Sequence, residues 1–194
     1  MGAEGFGKIA PDWSRERSMN KFLRFFLLAA LGLWLTGCGY SARSMLPARF
    51  KTIHILPFKN NIIYSSDVTH NSYVPLLEVK ARNAIIDRFL FDGNLKIREK
   101  TDADLIMKGE LIGFERNVLR TTETNDVQEY RIQVIVSLVL WDVAEEKVMW
   151  AEPSFVGETT YFVTGAQAKP ENEAVDDAVN DLARRVVERV IEDW

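Results

Sequence analysis

The segment from Glu129 to Trp141 constrains the fold most, because apolar residues occupy every second position along it. Side chains of a strand point alternately to opposite faces, so one face of this strand is entirely apolar. The other face begins with polar residues and ends with Ile135, Val139 and Trp141. A strand with one apolar face is typical of an antiparallel sheet backed by helices. The half-apolar second face has two interpretations, which are cover by a loop of this domain and contact with a partner.

The remaining chain predicts two helices and several further strands. Apolar spacing predicts a helix at 74–91, closed by Gly93, and a second helix from Pro170 to Trp194 that starts with acidic residues and continues with arginines. Strands are predicted at 50–58, 95–98, 105–119 and 148–163, with a hairpin loop at 121–126 and a turn at 144–146. We therefore expect an α+β fold in which two helices pack on one face of a four- to five-stranded, mostly antiparallel sheet, a two-layer sandwich.

Glycine and proline residues in the predicted strands carry expectations of their own. Gly109 and Gly113 share a predicted face with Leu111, and their missing side chains favour the close approach of a helix. Pro153 has no N–H group to donate to a neighbouring strand. It therefore predicts a bulge or an edge position.

A secretory signal is indicated near the start of the chain. Lys21 and Arg24 precede an uncharged apolar run at 25–35, and the small residues Thr36 and Gly37 precede Cys38. This is the order of a signal peptide, and the run is shorter than the roughly 20 apolar residues that a membrane-spanning helix needs. A thiol directly after the small residues is typical of a lipobox, so we expect Cys38 to receive diacylglycerol and an N-acyl chain and to become the mature N-terminus.

Three regions follow from this interpretation. Residues 1–37 are predicted to be the signal peptide, 38–49 a lipidated tether, and 50–194 one α+β domain. Translation from Met19 would give a compact signal, and we take that as a hypothesis for the true start. The alternative for the apolar run is a core helix with a buried cysteine, since free cysteines are often buried. Together these features predict a secreted bacterial lipoprotein.

Charge and size limit the class of partner. Residues 1–37 hold five of the 24 Lys and Arg residues and three of the 28 Asp and Glu residues, which leaves 19 basic and 25 acidic residues, a net charge of −6, in the mature chain. Nucleic-acid binding usually requires a basic domain or stripe, so we expect no nucleic-acid partner. The 157 residues of 38–194 suit a single domain.

Residues for catalysis are sparse in this sequence. The two histidines, His54 on a predicted strand and His70 in a polar loop, show no metal-ligand spacing. The sequence has no GxSxG motif and no phosphate-binding loop, and Cys38, the lone cysteine, is assigned to the lipid. We expect the protein not to be an enzyme and to hold no metal or other cofactor.

Several short motifs, in order along the mature chain, resemble the lipopolysaccharide-assembly lipoprotein family LptE. They cover nearly all of the mature chain, and their order and spacing carry the resemblance more than any single motif. The motifs are Cys38-Gly39-Tyr40, Ile53-His54-Ile55-Leu56-Pro57-Phe58, Ala103-Asp104-Leu105-Ile106-Met107-Lys108-Gly109, Glu129-Tyr130-Arg131-Ile132, Trp141-Asp142, Val148-Met149-Trp150 and Asp181-Leu182-Ala183-Arg184-Arg185-Val186-Val187 before Trp194.

The resemblance implies a location and two partners. Family members are anchored at the inner leaflet of the outer membrane, face the periplasm, and plug the lumen of a large β-barrel, LptD. The pair inserts lipopolysaccharide into the outer leaflet. The implied fold, two helices on a four-stranded sheet, agrees with the fold expected from the residues. Gly39 after the lipidated cysteine fits outer-membrane delivery, because an Asp there signals retention in the inner membrane.

The resemblance also implies sites. Basic loop residues at one end of the domain bind lipopolysaccharide, and Arg120 and Lys169 occupy comparable places here. Phosphate groups form strong charge-assisted hydrogen bonds with such residues. For the barrel partner we single out Phe114, Trp141, Trp150 and Tyr161 as partner-facing aromatics, with the alternative that each is ordinary core.

Other classes of protein also pair a lipobox with a small α+β domain. One alternative is a lipoprotein that activates a peptidoglycan synthase, or an auxiliary lipoprotein of an ABC exporter. Another is a periplasmic hydrolase, which would depend on His54 or a nearby carboxylate.

Overall fold

The computed structural model describes residues 46–64 and 73–192. In chain order the elements are β1 (Thr52–Ile55), β2 (Lys59–Asn60), α1 (Leu77–Asp92), β3 (Lys96–Ile97), β4 (Leu105–Thr121), β5 (Val127–Asp142), β6 (Lys147–Phe162) and α2 (Glu171–Glu192), with a short 3-10 helix at Lys100–Asp102. The predicted α+β class with two helices is confirmed. The sheet has six strands, because the two-residue β2 joins the five segments predicted as strands; β3, in the segment predicted at 95–98, also has only two residues.

The sheet combines a long antiparallel meander with a small parallel part. Its strand order is β3-β1-β4-β5-β6, and β2 pairs beside β4. β4, β5 and β6 are 17, 16 and 16 residues long and pair antiparallel, whereas β1 pairs parallel with both β3 and β4. We call the end of the meander with the β4–β5 turn at 122–126 the tip. The end with the β5–β6 turn at 143–146 is the base.

The two faces of β5 differ as predicted. Its inner face is fully buried from Ile132 to Leu140, with 0% exposure at Ile132, Val134, Val136, Leu138 and Leu140, whereas Tyr130 nearer the tip is half-buried. α2 packs on this face through its buried apolar stripe, which comprises Ala174, Val175, Ala178, Val179, Leu182, Ala183, Val186, Val187, Val190 and Ile191. The outer-face residues of β5, at alternate positions from Glu129 to Trp141, are all half-buried, so no part of the described chain seals this face.

A bulge in β4 changes which residues face the core. Leu111 pairs with Val136 but Gly113 pairs with Ile135, so Ile112 is the extra residue. After it the alternation reverses: Gly113 moves to the outer face and Phe114 moves into the core, where its exposure is 0%. The prediction that Gly113 shares a face with Gly109 is therefore wrong. Phe114 is a core residue and is not partner-facing.

A helix approaches the sheet closely at a different glycine from the two predicted. A Cβ on Gly109 would lie 2.3 Å from ring carbons of Phe58, so this glycine accommodates an aromatic ring and not a helix. The helix approaches at Gly157 of β6, where a Cβ would lie 2.4 Å from Leu182 Cβ and 2.6 Å from the Ala178 carbonyl oxygen.

The prediction for Pro153 is confirmed. β6 is the edge strand of the sheet, and its register against β5 shifts between the pairs Val136–Phe155 and Leu138–Glu152. Pro153 lies inside this irregularity, where a missing N–H group costs no ladder hydrogen bond.

Several predictions fall outside the described residues. They concern the signal segment, the Met19 start, the lipidation of Cys38 and the loop that contains His70. Within 46–64 and 73–192, neither helix is long and apolar enough to cross a membrane.

Candidate functional site

Arg120 lies at the tip, on the outer face of the sheet. It pairs with Glu129 of β5, and its Nε atom lies 3.7 Å from the Glu129 carboxylate. The guanidinium also lies 5.9 Å from the ring centroid of Phe162, the last residue of β6. The Arg120 side chain is 61% exposed, so it is accessible to a ligand in solution.

Lys169 reaches the same part of the molecule from the chain that leads into α2. Its backbone N–H donates to the Phe162 carbonyl at 3.0 Å, beside a bridge between Phe162 and Ala168. Its ammonium group forms an ion pair with Asp177 in α2. Both residues therefore contact Phe162 although they are far apart in the sequence: Arg120 lies over its ring on the outer face, and Lys169 binds its backbone while the ammonium group faces α2.

Arg116 is a third tip residue, and sequence reasoning missed it. Its guanidinium lies 2.5 Å from the Glu171 carboxylate and 5.1 Å from the ring centroid of Tyr130. Unbroken alternation from Leu111 would place Arg116 on the outer face. The bulge at Ile112 turns it to the inner face, opposite Ile132, and the local sequence carries no signal of this reversal.

Two tyrosines complete the inner side of the tip. Tyr130 and Tyr161 stack at a centroid separation of 5.8 Å, and the Tyr161 hydroxyl donates to Glu171 at 3.4 Å. Tyr161 is only 3% exposed, so it belongs to the core and is not partner-facing, as its sequence alternative allowed. Burial, together with the negative charge of Glu171, raises the pKa of Tyr161 to about 12, so its phenol stays neutral at physiological pH.

A cleft of about 510 Å³ opens between these residues. Arg116 and Lys169 supply positive charge, and the tyrosine rings and neighbouring apolar side chains supply apolar walls; the lining comprises Arg116, Val127, Tyr130, Tyr161, Val163, Lys169, Pro170 and Glu171. Burial would lower the pKa of Arg116, but the hydrogen bond and charge of Glu171 outweigh it, so its pKa is raised. The cleft thus combines permanent cations with apolar surface. An anion bound there must displace Glu171 or Asp177 from their ion pairs.

The two tryptophans singled out from the sequence lie near the base. Trp141 is half-buried on the outer face, with Lys108 Nζ 5.6 Å from the ring centroid. Trp150 pairs with Leu140, which places it on the inner face, and the Arg189 guanidinium lies 5.4 Å from its ring centroid. Trp141 is therefore open to a partner across the outer face, whereas Trp150 packs against the buried core.

His54 has a structural contact in this protein. Its Nδ1 atom lies 2.8 Å from the Arg98 carbonyl oxygen, which ties β1 to the segment after β3. Beside it, Arg82 of α1 donates through Nε and Nη2 to the Ile55 carbonyl at 3.1 and 3.0 Å. The two Arg82 hydrogen bonds hold α1 to the sheet.

Comparison with known proteins gives a family and a set of structural likenesses. The family model for LptE, described as lipopolysaccharide-assembly, matches residues 50–190. No curated protein sequence matches the chain. Solved structures with similarity to this chain include a PelC dodecamer from Paraburkholderia phytofirmans (13% identity, TM-score 0.44, 79% of this chain and 96% of that chain).

Two lipoproteins have comparable similarity. The minor lipoprotein from Acinetobacter baumannii is 14% identical, with a TM-score of 0.46 and coverage of 74% of this chain and 92% of that chain. The rare lipoprotein B from Shewanella oneidensis is 16% identical, with a TM-score of 0.37 and coverage of 71% and 89%. The family match carries the assignment, because it extends over all the strands and nearly all of both helices. The protein belongs to the LptE lipopolysaccharide-assembly family.

Proposed function

We propose that this protein is an outer-membrane lipoprotein that helps to assemble an LptD-type β-barrel, plugs its lumen and takes part in inserting lipopolysaccharide into the outer leaflet. The match to the LptE family over residues 50–190 carries the proposal. That family consists of structural lipoproteins that are not known as catalytic, which supports a role through contact and not through chemistry.

The dimensions of the meander support a plug. A strand of 16 residues, the length of β5, extends roughly 50 Å at a rise of about 3.3 Å per residue. The hydrocarbon core of a bilayer is about 30 Å thick. A domain inserted with the meander along the barrel axis would therefore reach through the membrane region with its tip on the far side.

The outer face has the surface that such a contact needs. Near the base it carries half-buried Ile135, Val139 and Trp141, with Val148 of β6 exposed beside Trp141. Toward the tip it becomes polar, and Gln133 donates to Glu158 at 3.0 Å across the strands. A mixed surface of this kind suits the polar wall of a barrel lumen better than a lipid-facing wall.

The tip has the chemistry for the phosphate groups of lipopolysaccharide. Arg120 is exposed and paired to Glu129 only at 3.7 Å, so a phosphate can replace that partner at little cost. Lys169 and Arg116 add two further cations beside the aromatic cleft. Charge-assisted hydrogen bonds would hold the phosphates while the apolar walls accommodate part of the lipid.

The proposed tether joins the domain at the end opposite the tip. Residue Arg49, where the predicted tether ends, pairs with Asp142 at the base. A tether of residues 38–49 spans at most about 40 Å, so a lipid on Cys38 would hold the base near the inner leaflet and leave the tip free. Cys38→Ala should abolish lipid labelling and release the protein from the membrane; unchanged anchoring would contradict this part of the proposal.

Lipopolysaccharide binding is tested by reversing charge at the tip. Arg120→Glu with Lys169→Glu should weaken binding of purified lipopolysaccharide by about tenfold or more, because two charge-assisted contacts are lost. The matched control is Lys96→Glu with Lys100→Glu, which makes the same change in net charge at exposed positions far from the tip. Equal weakening by both pairs would indicate general electrostatics and not a site.

Partner identity is tested by affinity purification from detergent-solubilised outer membrane. The proposal predicts that a barrel of much larger mass co-purifies, and recovery of a murein synthase instead would contradict it. Trp141→Glu should reduce barrel recovery. Leu90→Glu is the control, since Leu90 is 62% exposed on the helical layer.

A further inference from the structure

The edge strand β6 has a second set of hydrogen-bonding partners that come from a helix. In an antiparallel strand, the N–H and C=O groups of every second residue point away from the paired neighbour. At an edge these groups are free to bind the strand of another molecule, which is a common route to unwanted association. β6 is 16 residues long, so its outward groups would offer an extended template.

Two side chains of α2 occupy these groups in the middle of β6. Asp181 Oδ2 accepts from the Glu158 N–H at 3.1 Å, and Arg185 Nη1 donates to the Val156 C=O at 2.5 Å. Val156 and Glu158 are two residues apart, so both contacts are on the same outward edge. The Asp181 carboxylate therefore satisfies the Glu158 N–H group, and the Arg185 guanidinium satisfies the Val156 C=O group. An added strand would bind these same two backbone groups.

Gly157 allows the helix to reach this position. It lies between Val156 and Glu158, and a Cβ there would be 2.4 Å from Leu182 Cβ and 2.6 Å from the Ala178 carbonyl oxygen. The backbone of α2 thus packs directly against the strand. Asp181 and Arg185 are one helical turn apart, 3.9 Å from each other, and both point to the edge.

Other features protect the remainder of the edge. Near the tip, Lys169 donates its backbone N–H to the Phe162 carbonyl at 3.0 Å, and Ala168 bridges to Phe162. Nearer the base, Pro153 has no N–H group and lies in a register irregularity. Protection therefore recurs along β6, and the Asp181–Arg185 contact lies between the other two.

We propose that Asp181 and Arg185 form an edge-capping pair. Their side chains occupy the outward backbone groups of Val156 and Glu158 and prevent a second copy of this chain from pairing along β6. The inference does not depend on the lipopolysaccharide function. It assigns the pair a role against self-association, beyond that of tying the helix to the sheet.

The test is the association of the full chain, purified in detergent, measured by sedimentation over a range of concentrations. Asp181→Ala with Arg185→Ala should raise the self-association constant by about tenfold or more, since the freed backbone groups find partners in a second copy. Circular dichroism should show the secondary structure retained. The matched control is Lys80→Ala with Asp176→Ala, which removes an exposed ion pair of 2.6 Å between α1 and α2 and involves neither Asp181 nor Arg185.

A third substitution identifies the surface that associates. Glu158→Pro, added to the Asp181→Ala, Arg185→Ala variant, removes the outward N–H and should restore the monomer. Association that persists with this proline arises elsewhere and overturns the proposal, as does a folded double variant that stays monomeric. If the double variant does not fold, Asp181→Ala alone, which frees the Glu158 N–H, is measured against the same control with the same two outcomes.

Discussion

The guanidinium of Arg49 lies 2.7 Å from the carboxylate of Asp142, a residue with no exposed surface. Arg49 also contacts Glu145 at 2.8 Å and lies over the ring of Phe50. The second carboxylate oxygen of Asp142 accepts from the N–H groups of Ala144 and Glu145 at 3.0 and 3.2 Å. One buried carboxylate therefore joins the start of the domain to the β5–β6 turn.

Asp142→Ala should lower the free energy of unfolding by roughly 2 to 4 kcal/mol, because it removes the turn hydrogen bonds and leaves Arg49 without its buried partner. Asp142→Asn should cost less, since an amide oxygen can still accept from the turn. Urea denaturation measures both changes. Glu145→Ala is the control and should cost under about 1 kcal/mol, as its pair with Arg49 is exposed. Equal losses for Ala at 142 and 145 would contradict the assignment.

Gly157→Ala should destabilise the domain by about 1 to 3 kcal/mol or more, because the added methyl group would overlap the backbone of α2. Gly113→Ala is a matched control in the same sheet. Its Cβ would lie 3.1 Å from Ile135 Cδ1, the end of a flexible side chain that can shift. Thermal denaturation of both variants gives the comparison, and a larger loss at Gly113 would mean that the helix does not pack on Gly157 as described.

Leu76→Gly should stabilise the protein by about 1 kcal/mol, because Leu76 has a left-handed backbone with φ of 55° that costs roughly this much for a side chain. Little packing is lost, since Leu76 is 63% exposed. Leu90→Gly is the control: Leu90 has similar exposure inside α1, and glycine there should destabilise by about 1 kcal/mol. Opposite signs for the two variants are expected in urea denaturation, and a loss at both positions would contradict the strain at Leu76.

The raised pKa of Tyr161 predicts a loss of stability at high pH. Its pKa is about 12 in the folded protein against 10.0 as the ordinary value, so the folded state holds the phenolic proton more tightly than the unfolded state. The contribution is fully present below pH 10 and is lost as the pH rises toward 12, by an amount on the order of 2 kcal/mol. Unfolding of the native protein and of Tyr161→Phe, measured across this range, should show a steeper decline in the native protein. Parallel curves would be inconsistent with a buried phenol at this position.

Local alternation and long-range pairing decided different features of this protein. The buried positions from Ile132 to Leu140 follow from alternation alone, because a period of two is a property of any strand. Gly113 and Phe114 exchanged faces because the bulge at Ile112 depends on how β4 pairs with β5. Arg116 could not be predicted for the same reason. Arg120 reaches Phe162 only because both residues pair with Glu129.

By itself, the sequence determined the two faces of β5, the apolar stripe of α2, the order of the elements and the family, since these rest on the periods of strands and helices and on motifs in the chain. The tertiary structure alone decided the parallel pairing of β1, the inward turn of Arg116 and the contact of α2 with Gly157. Each of these depends on residues far apart in the chain, whose register and distance are set when the layers pack.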